Sequence, residues 1–361
     1  MNPLWWDQVK AVARLEMKKT FFARRGLWIY LVAAAPVLLF AISAAVNAHQ
    51  QSRNADLARQ NEKRLSYQDL LAVKPGMTKE EVLAALGRPP IDLHWTETPP
   101  SGPISHEHFQ YSDGQNQLYV TLKDGTVESV HVQSGFNLGE NSIVFASIFQ
   151  FFFLRLAVFF GCLGIFMNLF RGEVLDRSLH FYFLSPIRRE VLMAGKFLAG
   201  LLATCTIFVT SEVLQILAFL GQFPPNVRDL YLYHHHGLEQ EAVYVGVTIL
   251  GCIGYGAFFL VAGMFFRNPI LPAAGILIWE GINPFLPAVL KQISVIYYLK
   301  SLCPVDIPTP PGTPPVLALL VWNADPISAP VAVIGLLLVS LFALYVSSIQ
   351  VRRMEINYTT E

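Results

Sequence analysis

The stretch Phe170-Arg-Gly-Glu-Val-Leu-Asp-Arg-Ser-Leu-His-Phe-Tyr-Phe-Leu-Ser-Pro-Ile-Arg-Arg-Glu190 decides the fold, because it is a short charged segment between two long apolar runs. The runs cover residues 142–169 and 197–220. About 20 apolar residues are enough for a helix to cross a bilayer. A polar segment that joins two such runs lies outside the membrane, where a soluble protein can push or pull on it.

Composition excludes an ordinary soluble domain. Of the 361 residues, 53% are hydrophobic and only 14% are charged, with a mean hydropathy of +0.43. The formal net charge is zero, so nucleic acid is not an expected partner. The apolar pattern predicts an α-helical polytopic membrane protein with six transmembrane helices, at residues 27–46, 142–169, 197–220, 242–266, 269–290 and 327–350.

Basic residues are distributed unevenly between the polar segments. One group contains Lys10, Arg14, Lys18, Lys19, Arg24, Arg25, Arg171, Arg177, Arg188, Arg189, Lys196, Arg352 and Arg353, whereas the short segments on the opposite side offer only Arg228, Lys291 and Lys300. Because cytoplasmic loops are enriched in Lys and Arg, both termini and residues 170–196 are expected in the cytoplasm. No cleavable signal peptide is expected, and the tail, residues 351–361, is cytoplasmic.

Residues 4–21 predict an amphipathic helix within a cytoplasmic N-terminal segment, residues 1–26. Trp6, Val9 and Ala13 fall on one face, opposite Lys10 and Arg14. Such a helix lies in the membrane interface with its cations near anionic lipid. The alternative is a juxtamembrane segment that only sets orientation.

Residues 47–141 interrupt the apolar pattern and predict a small α+β extracytoplasmic domain. Thr78-Lys-Glu-Glu81 is a capping box, and Gly87 with Pro89 ends the helix that follows. Strands are then predicted around residues 106–111, 118–122 and 130–132, separated by Asp-Gly turns.

The motifs Val73-Lys-Pro-Gly-Met-Thr-Lys-Glu-Glu-Val82, Leu86-Gly-Arg-Pro89 and Tyr119-Val-Thr-Leu-Lys-Asp-Gly125 resemble the SmpA/OmlA (BamE-like) domain. The resemblance covers about 65 residues and implies a two-layer module for protein contacts, without catalysis, and hence an envelope protein as partner. The chain lacks the lipid-attached cysteine of that family.

No ligand is predicted for the histidine-containing loop, the cysteines or the proline-rich loop. His234, His235 and His236 are expected in a solvated loop, residues 222–240, and no metal is predicted there. No disulfide framework is readable from the four cysteines. Residues 298–326 form a proline-rich outer loop, and the apolar pieces 293–299 and 316–322 are expected to be half-helices in the outer leaflet.

The chain has no catalytic constellation and no nucleotide-binding loop, because Gly195-Lys196 is followed by Phe197 and preceded by Glu190 where the pattern requires Ser/Thr and Gly. It is therefore expected not to be an enzyme.

Ser185 is predicted to cap a helix with Pro186 at its first position, leading into the third span. A push on this loop would tilt two spans together. The alternative is a surface loop whose arginines only set orientation.

The whole layout resembles the membrane subunit of type-2 ABC exporters. The resemblance rests on the motifs Glu173 to Asp176 and Leu184-Ser-Pro-Ile-Arg-Arg189 and on the order of the predicted helices and loops along the chain. The resemblance implies a bacterial inner-membrane permease, a homodimer or heterodimer, driven by a separate ATPase that supplies ATP and Mg. The residues that would meet the ATPase are Glu173, Asp176, Arg177, Ser185, Pro186, Arg188 and Arg189.

Three ionisable residues, Arg155, Glu212 and Glu280, lie inside predicted spans. Arg155 and Glu212 lie at equal depth from the cytoplasmic ends, which permits a pair between spans two and three. The alternatives are a polar lining for substrate or a gate latch. The role of Glu280 stays open.

Two other functions are compatible with the pattern. A non-transporting scaffold would use ATP-driven movement, or none, to position the outer domain against an envelope complex. A secondary transporter fits less well, because no inverted repeat of short, broken helices is evident.

Overall fold

A computed structural model describes residues 3–22, 26–97, 104–133, 137–175, 187–266, 268–307 and 327–353. It divides into two compact units. The first, called here the helical unit, contains Met1–Phe40, Ser142–Leu220 and Pro225–Glu361. The second, called the small unit, contains Ala41–Asn141 and Gly221–Pro224.

Within the described ranges, five helical stretches are long and apolar enough to cross a membrane, which is the architecture of a multi-pass membrane protein. They are α2 (Leu27–Gln60); the stretch Leu138–Phe170, made of α5 (Leu138–Ser147), a π-helical segment (Ile148–Val158) and α6 (Phe159–Phe166); α8 (Arg189–Leu220); α10 (Gly237–Phe265); and α14 (Ala329–Arg353). The predicted amphipathic helix is confirmed as α1 (Pro3–Phe22), and α7 (Asn168–Leu175) follows α6.

The fifth predicted span, residues 269–290, is broken into short pieces. Its longest helix, α11 (Ile270–Gly281), has 12 residues and is about 18 Å long at 1.5 Å per residue, against the 30 Å of a bilayer core. A 3₁₀ turn (Asn283–Phe285) and α12 (Ala288–Lys291) follow. Pro284 and Pro287 account for the interruption, because proline removes a helical hydrogen bond. A count of six crossing helices is therefore not confirmed.

The structure bears on the predictions for residues 222–240 and 293–322. The segment predicted as a solvated loop at residues 222–240 contains a helix, α9 (Pro225–His234), so that expectation is wrong for most of the segment. Its composition hid the helix, because Asn, Asp and His are weak helix formers. The half-helix predicted at residues 293–299 is confirmed as α13 (Val295–Leu302). The second half-helix, residues 316–322, lies outside the described residues.

Close contact between α10 and α13 depends on Gly254. A Cβ at this position would lie 2.8 Å from Cγ1 of Val295, which is closer than carbon atoms approach in folded proteins. The absence of a side chain lets the backbone of α10 approach the first turn of α13. The short helix thereby becomes part of the packed interior, with Ile296, Tyr298 and Leu299 also buried.

The small unit contains helices α3 (Tyr67–Ala72) and α4 (Lys79–Leu86) and an antiparallel sheet of four strands in the order β1-β2-β3-β4. The strands are β1 (Ile91–Glu97), β2 (Ile104–Ser112), β3 (Gln117–Lys123) and β4 (Thr126–Gln133). The three predicted strands are confirmed as β2 to β4. β1 was not predicted, although Ile91, Leu93 and Trp95 alternate with polar residues along it; Leu93 and Trp95 are exposed on this edge strand.

The core of the small unit joins both helices to the sheet. The predicted capping box of α4 is confirmed: the Glu81 amide donates to Thr78 Oγ1 at 3.3 Å, and the Thr78 amide donates to Glu81 Oε2 at 2.8 Å. The Tyr111 hydroxyl donates to the Gly87 carbonyl at 2.9 Å, where α4 ends. Burial raises the pKa of Tyr111, with smaller contributions from Asp92 and Glu62, which keeps this donor protonated. Apolar residues fill the remainder, namely Leu70, Val82, Leu86, Phe109, Leu118, Val120, Leu122 and Val127.

Replacement of Thr78 by alanine tests the capping box. Loss of the side-chain acceptor leaves the Glu81 amide without its partner, which costs about 1 kcal/mol of helix stability and raises local exchange about fivefold. Hydrogen–deuterium exchange of the full chain in nanodiscs should show this acceleration in residues 79–86. Thr78→Ser retains the hydroxyl and is the matched control. Equal exchange in the alanine and serine variants would contradict the assignment.

Candidate functional site

The predicted coupling segment, residues 170–196, is described at its two ends. Asp176, Arg177, Ser185 and Pro186 lie outside the described residues, and of Glu173 only the backbone, in α7, is described. α8 begins at Arg189, whereas Ile187 and Arg188 are not helical. The predicted helix start at Ser185 and Pro186 therefore lies outside the described residues, and the described part of the helix begins at Arg189.

A buried ion pair joins α1 to α8. Lys196 Nζ lies 2.9 Å from Glu16 Oε1, and the side chains are 0% and 5% exposed. The same ammonium group donates to the Leu169 carbonyl at 2.9 Å and lies 5.3 Å from the centroid of the Phe170 ring. Lys196 thus bonds to α1 and to the chain entering the coupling segment while belonging to the helix that leaves it.

The two helices approach closely because position 195 is glycine. A Cβ at Gly195 would lie 2.8 Å from Cβ of Val12 and 3.2 Å from the Val9 carbonyl oxygen. Val9, Val12 and Ala13 are all buried. One face of α1 therefore packs on the first turns of α8, and Glu16 at the end of this apolar face meets Lys196.

Charged residues at and just before the start of α8 make another contact with α1 and also bond to α14. The Arg188 guanidinium lies 4.6 Å from the centroid of the Trp5 ring, a cation–π contact with α1. Arg189 donates to the Arg352 carbonyl at 2.8 Å, and Glu190 lies 2.6 Å from Arg352 Nε. A cation is favourable at the C-terminal carbonyls of α14 because it complements the helix dipole. These contacts, with the Lys196–Glu16 pair, are called here the anchor.

The anchor was only partly predictable. Arg188 and Arg189 were chosen from the sequence as residues for an ATPase, and the structure gives each of them a contact inside the chain. Lys196 was counted with the loop charges, which is wrong, because its side chain is fully buried. Glu16 was not identified. Its position seven residues after Val9 on the apolar face of α1 is the pattern that could have identified it.

Arg155 and Glu212 do not form the predicted pair. Neither carboxylate oxygen of Glu212, nor Nη1 of Arg155, has a hydrogen-bond partner among the described residues. Equal depth in the membrane says nothing about the direction in which a side chain points. Arg155 lies in the π-helical segment and acts electrostatically on Glu280 and Tyr255 instead.

Glu280 has a defined structural role. It is buried, its Oε2 accepts from the Tyr255 hydroxyl at 3.0 Å, and its Oε1 accepts from the Ile296 amide at 3.3 Å. Ile296 is the second residue of α13, so this carboxylate satisfies an amide that the helix itself leaves unbonded. A cavity of about 240 Å³ lies beside it, lined by Phe258, Gly275, Ile276, Trp279, Ile293, Ser294 and Val295.

One group of potential metal ligands lies on the sheet of the small unit. Asp92, His94 and Glu107 place one ligand atom each within 4.8 Å of the others. The Lys79 ammonium lies 2.6 Å from Glu107 Oε2 and already neutralises this carboxylate. We assign no metal to this group. Among the three consecutive histidines, His236 has a left-handed backbone at φ 56° and lies 3.4 Å from Glu239.

The chain matches no protein-family model, and no curated protein matches it.

Replacement of Lys196 by methionine tests the ion pair. Methionine keeps an unbranched side chain but leaves the buried Glu16 carboxylate without its closest cation, so the unfolding free energy should fall by about 3–5 kcal/mol. Addition of Glu16→Gln should recover part of this loss. Unfolding in mixed micelles with increasing denaturant measures both effects.

Lys19 provides the matched control, because its ammonium lies 3.8 Å from the same Glu16 oxygen but its side chain is 51% exposed. Lys19→Met should cost less than about 1 kcal/mol. Strict additivity of Lys196→Met and Glu16→Gln would show that the two residues do not interact.

Proposed function

We propose that the chain is the membrane permease subunit of an ATP-binding-cassette exporter, driven by a separate ATPase that docks on residues 170–196. The observation that carries this proposal is the anchor. Both ends of the segment bond to packed helices, through Lys196 at α8 and through the Leu169 carbonyl at the chain entering it. A displacement applied to the segment is therefore passed to α1, α8 and α14 together.

The proposed topology places both termini and the coupling segment in the cytoplasm of a bacterial inner membrane. Six crossings require residues 269–290 to cross as α11 continued by the 3₁₀ turn and α12. The charge distribution supports this orientation, because the basic residues cluster in the N-terminal segment, the coupling segment and the tail. Residues 47–141 are then extracytoplasmic.

The partners follow from the proposed role. ATP and Mg bind in the ATPase subunit, because residues 190–197 lack the glycine and hydroxyl residues of a phosphate-binding loop. Two permeases, identical or different, form the membrane part of the exporter within the lipid bilayer.

A scaffold is the second candidate function, in which the small unit is held against an envelope protein as its BamE-like motifs suggest. It is favoured by a cavity of about 380 Å³ in this unit, lined largely by amide side chains, including Asn47, Gln51, Asn54, Gln110 and Gln117. Amide groups can pair with the backbone of a bound polypeptide, because they both donate and accept hydrogen bonds.

Charge reversal at Arg177 tests the docking segment without disturbing the anchor. Arg177→Glu should abolish co-purification of the ATPase in mild detergent, because a guanidinium that pairs with a partner carboxylate becomes a repelling charge. Arg353→Glu makes the same change in the tail and is the matched control, expected to retain the ATPase.

Size-exclusion chromatography of both variants verifies that each is folded. Retention of the ATPase by Arg177→Glu, with ATP hydrolysis at the native rate, would contradict docking at this segment. Purification of the native chain with an envelope protein and without an ATPase would favour the scaffold.

A further inference from the structure

A second group of buried polar side chains lies between α8 and α10. Glu212 and Gln215 on α8 are both 0% exposed, and Glu241 and Tyr244 on α10 are 8% and 2% exposed. The spacing of three residues puts each pair on one face of its helix. α8 and α10 pack against each other, and the Phe145 ring contacts both Phe219 on α8, at 4.9 Å between centroids, and Tyr244 on α10.

Neighbouring groups hold these side chains in place but leave oxygen atoms unpaired. Gln215 Nε2 donates to Ser211 Oγ at 3.2 Å, and the Tyr231 hydroxyl donates to Glu241 Oε1 at 3.0 Å. Five oxygens then have no hydrogen-bond partner among the described residues, namely both carboxylate oxygens of Glu212, Gln215 Oε1, Glu241 Oε2 and Tyr244 Oη. All five are buried in the helical unit.

Within the described residues, neither carboxylate oxygen of Glu212 has a cation or any other hydrogen-bond donor as its partner. The titratable groups that influence it are Glu241 and Tyr244 on α10 and Cys303 after the end of α13, and of these only Glu241 is negatively charged when it has its ordinary protonation state at neutral pH. Lys300 acts on Cys303 and lies 5.8 Å from the Phe151 ring, and Arg155 acts on Glu280. The charge that acts on Glu212 within the described ranges is therefore that of another carboxylate.

Two adjacent carboxylates in an apolar interior cannot both stay ionised, because each loses its hydration and they repel each other. A proton removes one charge and also adds a hydrogen-bond donor to a group of unpaired oxygens in which only the Tyr244 hydroxyl can otherwise donate. Unlike a metal ion, a bound proton requires no additional volume. This matters because aromatic rings pack closely here, with the Tyr244 ring centroid 4.7 Å from that of Phe149 and 5.2 Å from that of Phe145.

We propose that Glu212 and Glu241 form a proton-binding site with two stations. Glu241 is the outer station, because it is the fifth residue of α10 and is slightly exposed. Glu212 is the inner station, eight residues from the end of α8 at Leu220. In the loading step a hydronium ion gives its proton to the Glu241 carboxylate and leaves as water; in the next step that proton passes to the Glu212 carboxylate.

Intramembrane carboxyl groups arranged in this way serve as proton relays in membrane pumps and transporters. The inference does not depend on the ATPase partner, because it rests on burial and unpaired oxygens in α8 and α10 alone.

Infrared difference spectroscopy of the full chain in nanodiscs tests the site. At neutral pH the native protein should show the carbonyl stretch of a protonated carboxyl group in the apolar interior. Glu212→Gln should remove the amplitude of at least one carboxyl group. Glu280→Gln identifies any contribution of Glu280, the other buried carboxylate. The matched control is Glu239→Gln, because the Glu239 side chain lies on α10 like Glu241 but is 76% exposed. This substitution should leave the band unchanged.

A pH titration of the native protein provides a readout that needs no substitution, since the band should disappear only in alkaline buffer. Tyr244→Phe should shift the remaining band, because it removes a hydroxyl that faces the pair. A native spectrum with ionised carboxylates only would overturn the proposal. A Glu212→Gln spectrum equal to the native one, or carboxylate bands that respond to Na⁺ or Ca²⁺ instead of pH, would also overturn it.

Discussion

The buried pair between Lys196 and Glu16 is the interaction on which the arrangement of the helical unit depends. Neither residue can be buried alone, because an ionised group without a partner in an apolar interior is strongly unfavourable. Their 2.9 Å contact therefore requires α1 and α8 to stay together. The close approach at Gly195 and the contacts of Arg188 and Arg189 follow from the same juxtaposition and extend it to α14.

Buried charges in the other helices are handled in different ways. Glu280 accepts two hydrogen bonds, one of them from the first turn of α13, and so connects α11 to a helix too short to be stable alone. Glu212 and Glu241 have no cation in contact among the described residues, and protonation is the change that removes their repulsion. One carboxylate thus serves packing, whereas the pair is available for proton exchange.

Features set by neighbouring residues along the chain were predictable. Thr78 and Glu81 specify the start of α4 locally, and the Asp-Gly turns specify the sheet that follows. The long apolar helices follow from composition, because bilayer thickness imposes their length. Pro284 and Pro287 interrupt the predicted fifth span, which is also a local effect that can be read from the sequence.

Features that depend on the direction in which a side chain points in the folded protein were not predictable from the sequence. Depth along a span suggested that Arg155 meets Glu212, but the rotation of a side chain about its helix axis decides which groups it meets, and neither Glu212 oxygen has a partner among the described residues. Lys196 looked like one more loop cation, since nothing in residues 170–196 shows that Glu16 lies opposite. The edge strand β1 is different, because the alternation of Ile91, Leu93 and Trp95 with polar residues is a strand signal in the sequence, and its pairing with β2 agrees with that signal.

We propose that an ATPase acts on residues 170–196. Site-specific photocrosslinking from position 179 in cells is a direct test of this contact. Reactive side chains at position 115 in the small unit and at position 354 in the tail provide comparison sites. We expect position 179 to crosslink to a subunit that contains a nucleotide-binding P-loop, identified by mass spectrometry, and position 115 not to do so. Crosslinks from position 179 to lipid or to a protein without a nucleotide-binding loop, and never to an ATPase, would contradict the account.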